Sequence, residues 1–489
     1  MFTAAMVCVY LCYMQNGKFI AGGSDLGDAL TQQLTFFRYW GEYIRDFFSS
    51  VAEGHPELPL WTWSVTGGAD ILGTFAHYDI TNPIMLLAGF FDGNTAEQGW
   101  VFLILLRTYL AGAAFSAFCL YHKKSRVAIL AGSLVYITSF YVSVLCTEQE
   151  MYFNMAIYLP LMLLAIDKGM RERTYGLLIA TVFLAIISSY YFFYMITILS
   201  AVYAVFRGWH NAPRGRKAPQ TFLFLARLAL PFLAGVALSA VVFLPQLHAF
   251  LNNARTVTPE LSVFYNPEFY WRYVMRFTAQ GSRFDSQAPG IGAGAMALLA
   301  VIYLFSQRRR YGQEKFFIIL FTVFSLFPLF GWMMNGFSYA TNNRWHLGFV
   351  LALSWAVVQT LPDPAARDEN SKRHYRLCRS LYHSHLLLLH SLSGGSAQPA
   401  RLCNAAHGQP VVRACDSMAQ LFYITTRQRP QQPWQKSCCQ CLVHCLYLRM
   451  CRRRKQRRER YRQAKHPPIF LQCRRDAIPA NGRLRTRYG

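Results

Sequence analysis

The chain has 489 residues, of which 53% are hydrophobic and only 15% are charged, a composition that indicates an integral membrane protein. Its net charge of +25 at pH 7 would indicate a nucleic-acid partner if it were evenly spread. The charge is not evenly spread. Residues 1–362 carry 24 Lys/Arg against 18 Asp/Glu, whereas residues 363–489 carry 25 Lys/Arg against 6 Asp/Glu. The body of the chain is therefore expected to meet a lipid bilayer and no nucleic acid.

Residues 1–14 form a first apolar run that is shorter than the roughly 20 residues of a spanning helix. The charged start and small-residue cleavage site of a signal peptide do not accompany it. We interpret this run as the remainder of a first helix whose start lies upstream.

A long polar stretch, residues 15–97, follows and is rich in Gly, Asp, Trp and Pro. Within it, apolar residues recur at helical spacing as Leu34, Phe36, Phe37, Trp40, Tyr43, Ile44, Phe47 and Phe48. Charged residues interrupt this broad stripe. The pattern predicts an amphipathic, interfacial helix over residues 34–51 that lies on the outer leaflet and floors a cavity.

Apolar stretches of about bilayer length then predict the remaining spans. They are 98–120, 127–146, 151–167, 175–206, 222–250, 290–306, 316–334 and 345–361. The run 175–206 is too long for one ordinary span and is interrupted by Ser188-Ser189-Tyr190-Tyr191, so it predicts two short helices, 175–190 and 191–206. With the first segment, the chain is expected to be an all-α, polytopic membrane helix bundle of about ten spans.

Charged residues in the connecting loops orient the bundle, because Lys and Arg collect on the cytoplasmic side. The basic loops are 122–126, 168–173, 207–217 and 308–310. The loops then expected outside are 15–97, 147–150, 251–289 and 335–344. The sign of the charge agrees with this orientation at every loop that is informative.

Residues 363–489 differ in kind from the body, since they hold nine of the 13 cysteines and no sustained helical or strand period. Most are residues whose codons begin with a pyrimidine, the outcome of reading apolar codons one base out of frame. We expect a basic, Cys/Arg-rich tail, out of frame or disordered, after a membrane domain of residues 1–362. A zinc site at the cysteines near Cys438 is an alternative, although their spacing fits no usual arrangement. The basic run 452–458 could bind RNA or anionic lipid, but a basic run in such a biased tail is more often incidental.

The polar groups that could carry chemistry lie in the predicted outer loops. Asp25 and Asp28 stand at the mouth of the bundle, where they either cap the next helix or act as catalytic carboxylates. Glu148 and Glu150 lie in the second outer loop. Arg344 opens the last span, where it is either an interface anchor or an anion ligand.

Several short motifs occur in an order that resembles the YfhO family of bacterial membrane proteins. They are Gly27-Asp28 with Gln32-Gln33, Trp63-Ser64 with Gly67-Gly68, Tyr78-Asp79 with Asn82-Pro83, Ser189-Tyr190-Tyr191-Phe192, and Asn343-Arg344-Trp345. The resemblance covers roughly residues 1–362. That family is similar to the GT-C glycosyltransferases, and its members are usually much longer than this chain.

The resemblance implies a GT-C-like enzyme of the bacterial plasma membrane. The enzyme that the resemblance implies would move a sugar from a polyprenyl-phosphate donor to an extracytoplasmic cell-wall or lipoteichoic-acid-type acceptor. Asp28 matches the family's first-loop aspartate and is the first candidate for general base, with Asp25 second; such a base is worth roughly 10²–10⁴-fold in rate. Arg344 and Arg38 are the candidates to neutralise the donor phosphate, because a guanidinium fork matches phosphate geometry.

Other outer-loop residues are candidates for substrate binding. They are Gln32, Gln33, Trp61, Trp63, His77, Tyr78 and Trp345. The tryptophans are alternatively membrane-interface residues. Glu148 and Glu150 could join Asp28 around Mg²⁺ or Mn²⁺, or be a solvated loop, and no other cofactor is expected.

Two alternatives stay open beside the enzyme. One is a transporter or flippase of a lipid-linked or anionic substrate, a class that also uses broken helices and buried charges. Arg107, inside the span 98–120, is such a charge and is expected to face the bundle interior. The other alternative is an inactive, truncated fragment of the enzyme.

Overall fold

The computed structural model describes residues 2–4, 6–7, 28–65, 67–75, 78–252, 262–278, 290–337 and 343–361. Asp25, His77, most of the first apolar segment and the whole tail from residue 363 lie outside these ranges. The expectations for them therefore stay predictions.

Almost all regular structure in the described residues is helical. The helices are α1 (Leu34–Ala52), α2 (Ile71–Phe75), α3 (Ala96–Tyr121), α4 (Arg126–Thr138), α5 (Tyr141–Glu148), α6 (Phe153–Arg171), α7 (Gly176–Ser188), α8 (Tyr190–Asn211), α9 (Lys217–Leu238), α10 (Ala240–Leu251), α11 (Pro267–Thr278), α12 (Gly294–Ser306), α13 (Gly312–Leu326), α14 (Pro328–Met334) and α15 (Leu347–Thr360). Short helical turns add Ala29–Gln33, Pro83–Phe90, Glu150–Tyr152 and Arg344–His346. One small antiparallel hairpin pairs β1 (Trp61–Thr62) with β2 (Ala69–Asp70).

Four helices in the described part of the chain are long and apolar enough to cross a membrane: α3, α8, α9, and α6 with the turn before it. The number rises to six if each bent pair crosses as one span, α4 with α5 (50°) and α13 with α14 (97°). Helices α7, α10 and α12 are apolar but shorter. The predicted all-α class with several apolar spans is confirmed, whereas the count of ten and the GT-C-like arrangement stay predictions.

The predicted break within 175–206 lies at Ser189, between α7 and α8. Ser189 has extended backbone angles (φ −165°, ψ 112°), which end the first helix and begin the second. The carbonyl of Ile187, near the end of α7, accepts a hydrogen bond from the Thr81 hydroxyl. The Ser188 and Tyr158 hydroxyls are hydrogen-bonded at 3.0 Å. Side chains therefore satisfy polar groups that a helix break would otherwise leave in an apolar environment.

Two predicted spans differ from the structure because each contains a break. The stretch 222–250 is two helices, α9 and α10, that meet at Ser239, whose hydroxyl donates to the Val236 carbonyl (2.8 Å) and competes with the helical ladder. The stretch 316–334 bends by 97° at Phe327. Pro328 follows it, and proline disfavours helical angles in the preceding residue, which here is extended (φ −120°, ψ 128°).

The core of the bundle is formed by α6, α3 and α15. Every residue of α6 from Phe153 to Pro160 is buried. Helix α4 approaches α15 closely at Gly132, where a Cβ atom would lie 2.3 Å from Val358 Cγ2 and 3.0 Å from the Ser354 carbonyl oxygen. Glycine is required there because no side chain fits between the two helices.

Helix α1 is the predicted amphipathic helix and matches it within one residue. Phe37 and Trp40 are buried, and Gly41 lets the helix lie against the turn Pro83–Phe90, where a Cβ would be 2.9 Å from the Ala88 carbonyl oxygen. Charged residues such as Arg38 are exposed. The amphipathic character is confirmed, and its position on the outer leaflet stays a prediction.

Candidate functional site

Asp28 precedes the turn Ala29–Gln33 but does not cap it, since its side chain makes no capping hydrogen bond. Instead, Asp28 Oδ2 accepts a hydrogen bond of 2.7 Å from Gln149 Nε2. The two residues come from the first and second predicted outer loops. The carboxylate is exposed and is thus free to meet a substrate, which favours a role other than helix capping.

The two glutamates that flank Gln149 face different surroundings. The Glu148 charge interacts with that of Asp28. Glu150 is buried, and its Oε2 accepts a hydrogen bond of 3.1 Å from Trp100 Nε1. Within the described ranges no three His, Cys, Asp or Glu residues are grouped so as to hold a metal ion. The predicted set of Asp28, Glu148 and Glu150 is therefore not brought together.

The Arg344 guanidinium lies against two aromatic rings. It is 5.4 Å from the ring centroid of Tyr152 and 5.3 Å from that of Tyr191, a cation–π arrangement. The Tyr141 hydroxyl donates to the Arg344 carbonyl (2.6 Å), and the Tyr191 hydroxyl donates to Asn335 Oδ1 (2.6 Å). These contacts hold the backbone of Arg344 and one of its two rings in place.

Tyr152 links the predicted carboxylate to the predicted phosphate ligand. The charges of both Arg344 and Asp28 act on its phenol. Three buried polar atoms around it have no hydrogen-bond partner among the described residues: the Tyr152 hydroxyl, Arg344 Nε and Gln149 Oε1. Buried polar groups are normally paired, and the position of these three beside a carboxylate and a cation makes this group of residues the candidate binding site. We refer to Asp28, Gln149, Tyr152, Tyr191 and Arg344 as the outer polar site.

Gln32, Gln33 and Tyr78 lie next to one another. Gln32 Nε2 donates to the Tyr78 hydroxyl at 3.1 Å, and Gln33 Nε2 donates to Gln32 Oε1 at 3.3 Å. Gln33 is buried, and Tyr78 packs on Phe36 of α1, with ring centroids 4.5 Å apart. Gln32 and Gln33 belong to the turn Ala29–Gln33, which follows Asp28. The role of these three side chains in binding substrate stays a prediction.

The predicted tryptophans occupy contrasting positions. Trp61 and Trp63 are exposed by 51% and 77% on the small hairpin, where their rings meet edge to face at 5.8 Å. Trp345 is fully buried, and its Nε1 donates to Asn343 Oδ1 at 3.2 Å. The Trp345 ring packs against Phe321 of α13 and has no exposed face in this structure, and its role in binding a sugar stays a prediction.

A buried polar network beside the outer polar site was not predicted. Arg107 and Asp79 are both fully buried and form an ion pair of 2.6 Å, which confirms that Arg107 faces the interior. Asp79 also accepts from Asn82 (3.0 Å) and Asn154 (2.5 Å), and Arg107 donates to the Glu150 carbonyl (3.0 Å). The network therefore anchors the backbone between Gln149 and Tyr152. An arginine inside an apolar span is the signal that could have predicted a buried acid as its partner.

Comparison with known proteins identifies one family. A profile of the family described as "Bacterial membrane protein YfhO" matches residues 1–450, further along the chain than the motifs alone indicated. The chain is 28% identical over 355 residues to the "Uncharacterized protein YfhO" of Bacillus subtilis (strain 168). That alignment covers 70% of this chain but only 38% of the relative, so the chain spans well under half of the relative's length. No solved structure matches.

Proposed function

The chain belongs to the YfhO family of bacterial membrane proteins, and from that premise we propose that it is a membrane glycosyltransferase. In this proposal the donor is a sugar on polyprenyl phosphate, and the acceptor is a cell-wall or lipoteichoic-acid-type polymer outside the plasma membrane. The observation that carries the proposal is the outer polar site, in which the Asp28 carboxylate and the Arg344 guanidinium both act on Tyr152 and three buried polar atoms have no hydrogen-bond partner among the described residues.

Transfer of a sugar with inversion needs a base and a charge partner for the leaving group. An exposed carboxylate such as Asp28 can accept the proton of the acceptor hydroxyl as that oxygen attacks the anomeric carbon. The departing phosphate then gains negative charge, which the Arg344 guanidinium neutralises through its free Nε. Gln149 orients the carboxylate through its hydrogen bond to Asp28 Oδ2.

The test replaces Asp28 by asparagine, which keeps the size of the side chain and its hydrogen bond with Gln149 but removes the base. Membranes holding the full chain receive polyprenyl-phosphate-linked radioactive sugar and an envelope polymer, and the new glycosidic bond is counted. We expect Asp28→Asn to lower transfer by about 10²–10⁴-fold. Asp46→Asn, an exposed carboxylate of α1, is the matched control and should leave transfer unchanged.

Insertion and abundance of each variant are measured by immunoblotting of washed membranes. Full transfer by Asp28→Asn would remove Asp28 from the mechanism. Absence of transfer by the unaltered chain would overturn the proposal for this chain and favour an inactive fragment.

Transport is the competing function, since the two bent helix pairs and the buried Arg107–Asp79 pair are features that transporters also use. Proteoliposomes separate the two functions. Movement of labelled polyprenyl-phosphate sugar across the bilayer without any new glycosidic bond would favour a transporter over the enzyme.

A further inference from the structure

A cavity of about 160 Å³ lies within the bundle and reaches the end where the basic loops are found. Helices α3, α6, α8, α13 and α15 all contribute to its lining. Because Lys and Arg mark the cytoplasmic side, the polar end of this cavity, at Lys124 and Gln359, lies at the predicted cytoplasmic end of the bundle. No residue of the outer polar site lines this cavity.

The cavity is lined along most of the length of α15. On α15 its lining runs from Gln359 to Gly348, about 16 Å at 1.5 Å per residue. On α13 the lining runs from Gln313, at the polar end of the cavity, to Phe321 at its apolar end. A slot of this shape fits one extended chain better than a compact ligand.

The lining changes in character from one end to the other. Its deep end is apolar and closed, with Leu159, Leu199, Phe321 and Leu351 all buried. Its other end is polar and partly exposed, with Lys124, Gln313 and Gln359 among the lining residues. The cavity thus opens at its polar end, and an amphiphile with its tail inward matches both ends.

The mouth presents one cation and one anion. Lys124 Nζ donates to Gln359 Oε1 at 2.5 Å, and Gln359 Nε2 donates to Glu314 Oε1 at 2.8 Å. The Lys124 ammonium also lies 5.3 Å from the centroid of the Trp355 ring. Burial lowers the pKa of Lys124, and the charge of Glu314 opposes that shift. Gln359 bridges the two charged groups, which form no direct ion pair in the described part of the chain, so each can still meet a group of opposite sign.

The other charged residues that line the cavity are already paired with Asp167. Asp167 accepts from Arg207 Nε (2.8 Å) and from the Tyr203 hydroxyl (2.6 Å), and it lies 2.9 Å from His122 Nε2. Lys124 and Glu314 are therefore the charges left to select a head group at this mouth. A single anion would meet the repulsion of Glu314, whereas a zwitterion satisfies both.

We propose that this cavity binds one acyl chain of a zwitterionic glycerophospholipid from the cytoplasmic leaflet. The chain lies along α15 toward Gly348. The phosphate meets Lys124, and the lipid ammonium meets Glu314.

The test uses a phosphatidylethanolamine whose acyl chain ends in a photoreactive diazirine. The full chain is reconstituted in nanodiscs with this lipid, irradiated and digested, and the modified peptides are identified by mass spectrometry. We expect modification of peptides containing Leu159 or Leu351. Ala352→Phe, which fills the slot, should lower that modification by about tenfold, the cost of leaving two methylenes unburied.

Val323→Phe adds the same ring to the exposed face of α13 and is the matched control, expected to leave modification unchanged. If Ala352→Phe does not elute as a single peak in size-exclusion chromatography, Gly348→Val blocks the deep end instead, beside Leu199. Equal modification in the blocked variant and the control would overturn the proposal.

The head-group assignment has its own test. An unlabelled phosphatidylglycerol should compete with the probe less well than unlabelled phosphatidylethanolamine does. Glu314→Gln should abolish that difference, because it removes the partner of the ammonium. Equal competition by both lipids in the unaltered protein would overturn the choice of a zwitterion.

Discussion

The buried pair of Asp79 and Arg107 allows a sharp test of what holds the bundle together. Both side chains are fully buried and joined at 2.6 Å. Asp79→Asn removes the ion-pair partner of Arg107 and leaves it the hydrogen bond to the Glu150 carbonyl, and breaking a buried pair in this way costs about 3–5 kcal/mol. The substitution suits the backbone, because Asp79 has a positive φ (64°) that asparagine also tolerates. We therefore expect loss of stability without local rearrangement.

Arg107→Leu should cost less than Asp79→Asn. The carboxylate left behind keeps two amide donors, Asn82 and Asn154, and a hydrogen bond to a charged group is worth about 2 kcal/mol. The double variant removes both partners of the ion pair and leaves neither of these two charges unpaired, so it should be more stable than the sum of the single losses predicts, by about 2 kcal/mol.

The free energy of unfolding is measured for all four proteins by denaturant titration in detergent micelles, followed by circular dichroism. Losses that add within error would show that the two charges do not stabilise each other. A larger loss for Arg107→Leu than for Asp79→Asn would show that the amide donors do not support the carboxylate.

The same titration checks two matched pairs of substitutions. Gly132→Ala should lower the free energy of unfolding by about 1–3 kcal/mol, because the added methyl would overlap Val358 and force α4 away from α15. Gly176 has open space around it, so Gly176→Ala should be neutral or slightly stabilising. Trp345→Ala should lower the free energy of unfolding by about 3–5 kcal/mol, because it leaves a cavity in the core. Trp63 lies on the exposed hairpin, so Trp63→Ala should change that free energy by less than about 0.5 kcal/mol.

Local patterns in the sequence predicted the elements of the fold well. The aromatic stripe on residues 34–51 is the amphipathic helix α1, and the Ser/Tyr cluster around Ser189 is the break between α7 and α8. Both features depend on side-chain spacing and backbone preference within a short segment. The bend before Pro328 could also have been predicted from a short segment, because proline restricts the backbone angles of the residue that precedes it.

Contacts between distant segments could not be predicted in this way. Asp28 and Arg344 were chosen for their chemistry, but their common neighbour Tyr152 depends on how three segments pack. Trp345 has the sequence context of an interface residue and is instead in the core, because α13 covers it. Periodicity assigns a residue to a face of its own helix and does not say which helix covers that face.

The three short apolar helices have a consequence for the lipid around the protein. Helices α7, α10 and α12 have 13, 12 and 13 residues, so each is about 20 Å long or less, against a hydrocarbon core of about 30 Å. The bilayer pays for such hydrophobic mismatch by thinning locally, at fractions of a kcal/mol per ångström. Where these helices meet lipid, short acyl chains are preferred neighbours. Membrane thickness is therefore expected to affect how stably this protein sits in a bilayer.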